Sequence, residues 1–145
     1  MSLMSLITLK DKIQHAGEEA WYNGNVDALD EFYAADYVYH RPPLSDIVGL
    51  DAVKESISST RLAYSDIQSD YEEMIGEGDS LAYRWTLRMK HTGKSPTLPI
   101  PPTGKDVVLK GCTVVHIKDG KVIEEFEYAD YLGFLQQLEV VPPLG

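Results

Sequence analysis

The stretch Lys105–Asp130, KDVVLKGCTVVHIKDGKVIEEFEYAD, reads as two strands joined by a tight turn. Asp119-Gly120 is the strong two-residue hairpin signal, because both central positions of the favoured turn need positive φ. With a two-residue loop, that turn pairs Lys118 with Lys121, Ile117 with Val122, Val115 with Glu124, Thr113 with Phe126, Gly111 with Tyr128 and Leu109 with Asp130. Paired residues share a face, and faces alternate with a period of two. One face then carries Leu109, Thr113, Val115, Ile117, Val122, Glu124, Phe126, Tyr128 and Asp130. The other carries Lys110, Cys112, Val114, His116, Ile123, Glu125 and Glu127. The first is the more apolar and aromatic, so it is expected to face the interior.

Upstream lie further strand-like runs over Ile67–Ile75 and Ser80–His91, with Glu77-Gly78-Asp79 as their turn. Helical spacing of Leu6, Leu9, Ile13, Ala16, Ala20 and Trp21 predicts a helix over Ser5–Asn23, stopped at Gly24. A short second helix capped by Asn25 would present Val26, Leu29, Phe32 and Tyr33. Asp36–His40 reads as a strand ended by Pro42-Pro43, and Gly49-Leu50-Asp51 opens a third helix facing inward through Val53, Ile57, Thr60 and Leu62. Gly93–Gly104 carries four prolines and reads as an irregular loop; Tyr131–Gly145 begins as a short helical cover. Helices first and antiparallel strands afterwards give an α+β fold, a curved sheet wrapped on helices.

Thirteen Lys and Arg stand against 23 Asp and Glu, a formal charge of −10 in 145 residues. That balance opposes nucleic-acid binding, which needs clustered cations. A length of 145 residues suits a single domain spanning 1–145, with Met1–Leu3 read as an appended extension before Met4. No apolar run reaches the roughly 20 residues of a membrane span, and the N-terminus lacks a basic region ahead of an apolar one. One cysteine, Cys112, excludes an internal disulfide and a Cys-based zinc cluster. The expectation is a cytoplasmic protein that binds neither nucleic acid nor membrane.

Asp130, on the expected inward face beside Phe126 and Tyr128, has two readings. Apolar surroundings would raise its pKa and suit it to proton transfer; alternatively it caps the LGFLQQL segment. His40, at a strand end, either relays a proton or bonds a backbone carbonyl. His91 stands at a pocket rim or is exposed, and His116 falls on the opposite face from Asp130. Trp85 alternates with Leu81, Tyr83, Leu87 and Met89, so it is core or an aromatic wall for a planar ligand. Trp21, Tyr33 and Phe32 would line the same interior from helices. No HxH or HxxxH spacing, G-x-S-x-G elbow or phosphate-cradling glycine motif occurs, so no metal or cofactor is expected.

Several segments, in order, resemble one family. They include Ala20-Trp21-Tyr22-Asn23-Gly24-Asn25, Tyr37-Val38-Tyr39-His40-Arg41-Pro42-Pro43, Gly49-Leu50-Asp51-Ala52-Val53 and Arg84-Trp85-Thr86-Leu87-Arg88. His91-Thr92-Gly93, Pro102-Thr103-Gly104-Lys105, Asp119-Gly120-Lys121-Val122-Ile123-Glu124-Glu125 and Asp130-Tyr131-Leu132-Gly133-Phe134 continue the likeness. Together they resemble the SnoaL-like polyketide cyclases of the nuclear-transport-factor-like superfamily. The resemblance implies a cone-shaped roll with a deep pocket, a homodimer formed through the outer sheet face, and aldol ring closure without a cofactor. It implies catalysis by Asp130 with His40, and a small hydrophobic or aromatic ligand against Trp85, Phe126, Tyr128, Trp21, Tyr33 and His91. The chain departs from many relatives at Glu125-Phe126, at His116 and in the proline loop Ser95–Pro102, which is either a lid or an exposed loop. Two other functions stay open: a non-catalytic small-molecule binder, and an epoxide-hydrolase-like enzyme with an arginine bonded to Asp130.

Overall fold

The computed structural model describes residues 3–96 and 98–144, with side chains from Thr8 onward. Leu6 in the first helix, the Met1–Leu3 extension and Thr97 in the proline loop therefore lie outside what is described of the side chains. The chain runs α1 (Leu3–Tyr22), β1 (Tyr33–His40), β2 (Ile47–Val48), α2 (Leu50–Arg61), β3 (Tyr64–Glu77), β4 (Ser80–His91), β5 (Asp106–Lys118), β6 (Lys121–Ala129) and α3 (Tyr131–Gln137). Among the described residues the strands form one curled, unclosed sheet in the order β2-β1-β6-β5-β4-β3. The α+β roll expected from the sequence is the architecture found. The sheet is mixed, however: β1 lies parallel to β6, and the other neighbours are antiparallel.

α1 and α2 pack into the hollow of the sheet because each has one apolar stripe. Ile13, Ala16 and Ala20 of α1 and Leu50, Val53 and Ile57 of α2 are buried with Leu81, Tyr83, Val115, Ile117 and Val122 of the sheet. A second cluster joins Tyr64, Met89, Val107 and Leu109 to Phe134 and Leu138, seating α3 across the far end. Two expectations are corrected here. Leu62 is 75% exposed, because α2 ends at Arg61 and the chain has turned outward. Tyr33 opens β1 rather than closing a helix, since the segment after Asn25 makes only a 3-10 turn over Val26–Leu29.

The decisive correction is in the last hairpin. Asp119 (φ 53°) and Gly120 (φ 76°) form the expected two-residue turn, and Lys118 faces Lys121 and Ile117 faces Val122. Ile123 is then an extra residue: His116 pairs with Glu124, Val115 with Glu125, Val114 with Phe126 and Thr113 with Glu127. A single bulged residue moves every later side chain of its strand to the other face. The inward set of β6 is therefore Val122, Glu125, Glu127 and Ala129, and Glu124, Phe126 and Tyr128 point outward.

Gly111 lies in β5 opposite Trp85, and a Cβ there would overlap the Trp85 ring. Gly111→Ala is expected to destabilise the fold by about 1–3 kcal/mol in urea unfolding, with altered tryptophan emission as the displaced ring moves.

Candidate active site

The hollow between α1, α2, α3 and the sheet encloses a cavity of about 310 Å³. Its wall is largely aromatic: Trp21, Tyr33, Tyr37, Tyr39, Tyr64, Tyr71, Tyr83, Trp85, Tyr131 and Phe134 contribute. The Trp85 indole N–H donates to Thr113 Oγ1 at 2.9 Å, so the ring is fixed as a wall. Ring pairs Tyr33–Tyr37 (5.0 Å) and Tyr71–Tyr83 (5.5 Å) pack edge-on or tilted, as aromatic quadrupoles prefer.

Two carboxyls enter this wall, Glu125 and Glu127, two residues apart on one face of β6. Glu125 is buried. Removal from water, reinforced by the neighbouring Glu127, pushes its pKa up to about 8, so it holds its proton at neutral pH. Glu127 is also raised by burial. Hydrogen bonds from the Tyr39 and Tyr131 hydroxyls, the latter at 3.2 Å, and the Arg41 charge pull it back. Like charges so close do not both ionise readily, and the environment favours Glu127 as the charged member. Burial raises the pKa values of Tyr33, Tyr37, Tyr71 and Tyr83, reinforced by Glu125 once it ionises, so these phenols are neutral hydrogen-bond donors.

Of the residues singled out from the sequence, Trp21, Tyr33 and Trp85 line the cavity. Phe126 and Tyr128 do not, because the bulge turns them outward. Phe126 stacks on His40 with ring centres 4.5 Å apart, and Tyr128 is 59% exposed. His91 is wholly buried beneath the proline loop, neither rim nor exposed; its Nδ1 accepts from the Thr103 N–H at 3.2 Å. His40 lies outside the cavity between two carboxylates, Nε2 at 2.8 Å from Glu124 and Nδ1 at 3.0 Å from Asp46. The Glu124 hydrogen bond leads in raising its pKa.

Asp130 is exposed and caps α3, accepting the Gly133 N–H at 2.8 Å. Gly133 permits this approach, since a Cβ there would overlap the carboxylate. Asp130 and His40 thus do not converge. Arg84 and Arg88, the arginines weighed for an epoxide hydrolase, pair with Glu72, Glu73 and Asp70 away from Asp130. His116 bonds Ser80 Oγ at 3.0 Å. Among the described residues no three His, Cys, Asp or Glu side chains are grouped to hold a metal, and no helix is long and apolar enough to cross a membrane.

Sequence reasoning missed Glu125, Glu127, Tyr37, Tyr39, Tyr71, Tyr83, Tyr131 and Arg41. The available signal was the alternation Glu125-Phe126-Glu127 set against Tyr37-Val38-Tyr39, which becomes legible only once the parallel β1–β6 pairing is known.

A carboxyl whose folded pKa exceeds its unfolded value binds its proton more tightly when folded. The Glu125 contribution to stability is complete below pH about 4.5 and is lost as pH rises through about 8. Glu125→Gln is expected to flatten that decline in urea titrations at stepped pH. His40 adds a slope of the same sign above 6.5, which a His40→Gln control separates. Asp130→Ala is expected to cost about 1 kcal/mol as a lost cap while leaving the Glu125 titration unchanged in carboxyl-carbon NMR.

Comparison with known proteins fits this geometry. The family model described as SnoaL-like polyketide cyclase matches residues 11–138. Among curated proteins, no sequence matches the chain. Among solved structures, a polyketide cyclase candidate from Acidithiobacillus ferrooxidans is similar at 26% identity and TM-score 0.78, over 97% of this chain and 99% of the other. TsrD from Streptomyces laurentii is similar at 20% identity and TM-score 0.81, over 97% and 99%. A protein of ketosteroid isomerase-like fold from Catenulispora acidiphila matches at 17% identity and TM-score 0.70, over 86% and 90%. With the family match running from within α1 through all six described strands to the end of α3, the chain belongs to the SnoaL-like polyketide cyclase family.

Proposed function

We propose that the protein is a cofactor-free acid/base enzyme that cyclises or isomerises a small hydrophobic carbonyl compound. The observation that carries this reading is the pair Glu125 and Glu127, two carboxyls of unequal acidity in one aromatic cavity. In this reading they take the acid/base work that the family resemblance suggested for Asp130 and His40. Unequal acidity lets one fold supply an acid and a base at the same pH.

Glu127 removes a proton from the carbon next to a carbonyl. The protonated Glu125 and the neighbouring phenols donate hydrogen bonds to the enolate oxygen as charge develops there. The enolate carbon then attacks a second carbonyl carbon of the same molecule, and that carbonyl oxygen takes up a proton from Glu125. Without a second carbonyl in reach, return of the proton to a different carbon gives isomerisation. The aromatic wall holds the chain folded, and that positioning lowers the entropic barrier to closure.

The test is deuterium exchange at the α-carbon of 2-tetralone and of 1-phenyl-1,3-butanedione in heavy-water buffer, followed by NMR. Wild type is expected to accelerate exchange, and Glu127→Gln to reduce the catalysed rate by about 10²- to 10⁴-fold. Exchange at the buffer rate in wild type, with the probes bound, would replace the enzyme by a binding protein. Exchange undiminished in Glu127→Gln would move the base elsewhere.

A further inference from the structure

Arg41 sits where the cavity opens. It lines both the main cavity and an adjoining vestibule of about 270 Å³, which the two share along Arg41, Ile47, Ser56 and Thr60. It is the single cation on either wall among the described residues. The other arginines are committed: Arg61 to the carbonyls of Trp21 and Tyr22, Arg84 to Glu72 and Glu73, Arg88 to Asp70. Among the described residues Arg41 makes one hydrogen bond, from Nε to the Ser45 carbonyl at 3.1 Å, and its charge reaches Glu127 through space. Its two terminal nitrogens have no carboxylate within ion-pair distance among the described residues.

An oriented guanidinium with both terminal nitrogens uncommitted matches the two oxygens of a carboxylate. Ser56 and Ser59 of α2 add hydroxyls to the same vestibule. Glu55, also on its wall, is exposed, so its charge is largely screened by water. The deeper wall is apolar and aromatic and carries carboxyls of its own, so an anion is unwelcome there and welcome only at the mouth.

We propose that the ligand is amphiphilic: an apolar, ring-bearing body fills the cavity, and a carboxylate at its end docks on Arg41 in the vestibule beside Ser56 and Ser59. This deepens the acid/base reading, on which it rests for the identity of the site. The anchored end would set how far the body reaches toward Glu127, making Arg41 a specificity-determining residue.

The test uses 3-(2-naphthyl)propionic acid and its primary amide, bodies of equal shape with and without the charge. Affinities are measured by calorimetry, with emission of Trp21 and Trp85 on the cavity wall as a second signal. Wild type is expected to bind the acid about tenfold or more tighter than the amide. Arg41→Gln is expected to erase that preference while keeping amide affinity, and Arg41→Lys to retain part of it. Amide affinity, together with thermal melting, checks that each variant is folded. Equal binding of acid and amide by wild type, a preference that survives Arg41→Gln, or binding of neither probe would overturn the proposal. No acid preference in wild type, with α-proton exchange intact, removes the anion site alone. A preserved preference without exchange removes the acid/base reading alone.

Discussion

The bulge at Ile123, just past the Asp119-Gly120 turn, decides which side chains of β6 enter the cavity. An uninterrupted ladder would put Phe126 and Tyr128 inside and leave Glu125 and Glu127 in solvent, giving an ordinary apolar core. One extra residue reverses this. It places two carboxyls where hydration is poor, and aromatic rings on the outer surface, where Phe126 stacks on His40. The strand also gains twist at the bulge, next to the point where β6 meets β1. Of the outward side chains, Glu124 then bonds His40 of that neighbouring strand. The cavity chemistry and the outer ion-pair cluster are two faces of one register shift.

Burying two carboxyls opposes folding unless something offsets the lost hydration. Here the partial compensation is visible. Tyr39 and Tyr131 hydroxyls and the Arg41 charge serve Glu127, whereas Glu125 keeps its proton instead. Proteins commonly keep groups the core would not otherwise tolerate where function needs them, at a cost in stability. Trp85 bonded to Thr113 and Gly111 fitted beneath its ring show the rest of the wall packed for rigidity.

Much of the architecture was legible. Apolar spacing located α1 and α2, turn chemistry located the β5–β6 hairpin, and the β4 strand agreed at both ends, Ser80–His91. Composition and alternation also marked Trp85 as inward. The site was legible only in part, for a physical reason. Alternation arguments carry face assignments forward from a turn, and a bulge breaks that propagation without changing composition. The misplaced face was moreover the more hydrophobic one, so Phe126 and Tyr128 made the unbulged register look better than the true one. Asp130 was expected to be catalytic with the cap as its alternative, and the structure displays the cap. The tyrosines of β1 were hidden for another reason: their neighbour in the sheet is the last strand of the chain, and no local pattern announces a parallel pairing across that distance.

That pairing also orders assembly in time. The β3–β6 meander joins neighbours in sequence, through two-residue turns at either end and the proline loop between β4 and β5, so its ladders close short loops. The β1–β6 ladder must close a loop that spans most of the chain. Loop-closure entropy favours the meander as the earlier structure and β1 as a later arrival. Tyr37 and Tyr39 come with β1, and so does Arg41 directly after it. The polar end of the cavity is thus completed by the same late docking event that finishes the sheet, and a chain halted before it would present an open trough in which Glu125 and Glu127 lack the Tyr39 hydroxyl and the Arg41 charge.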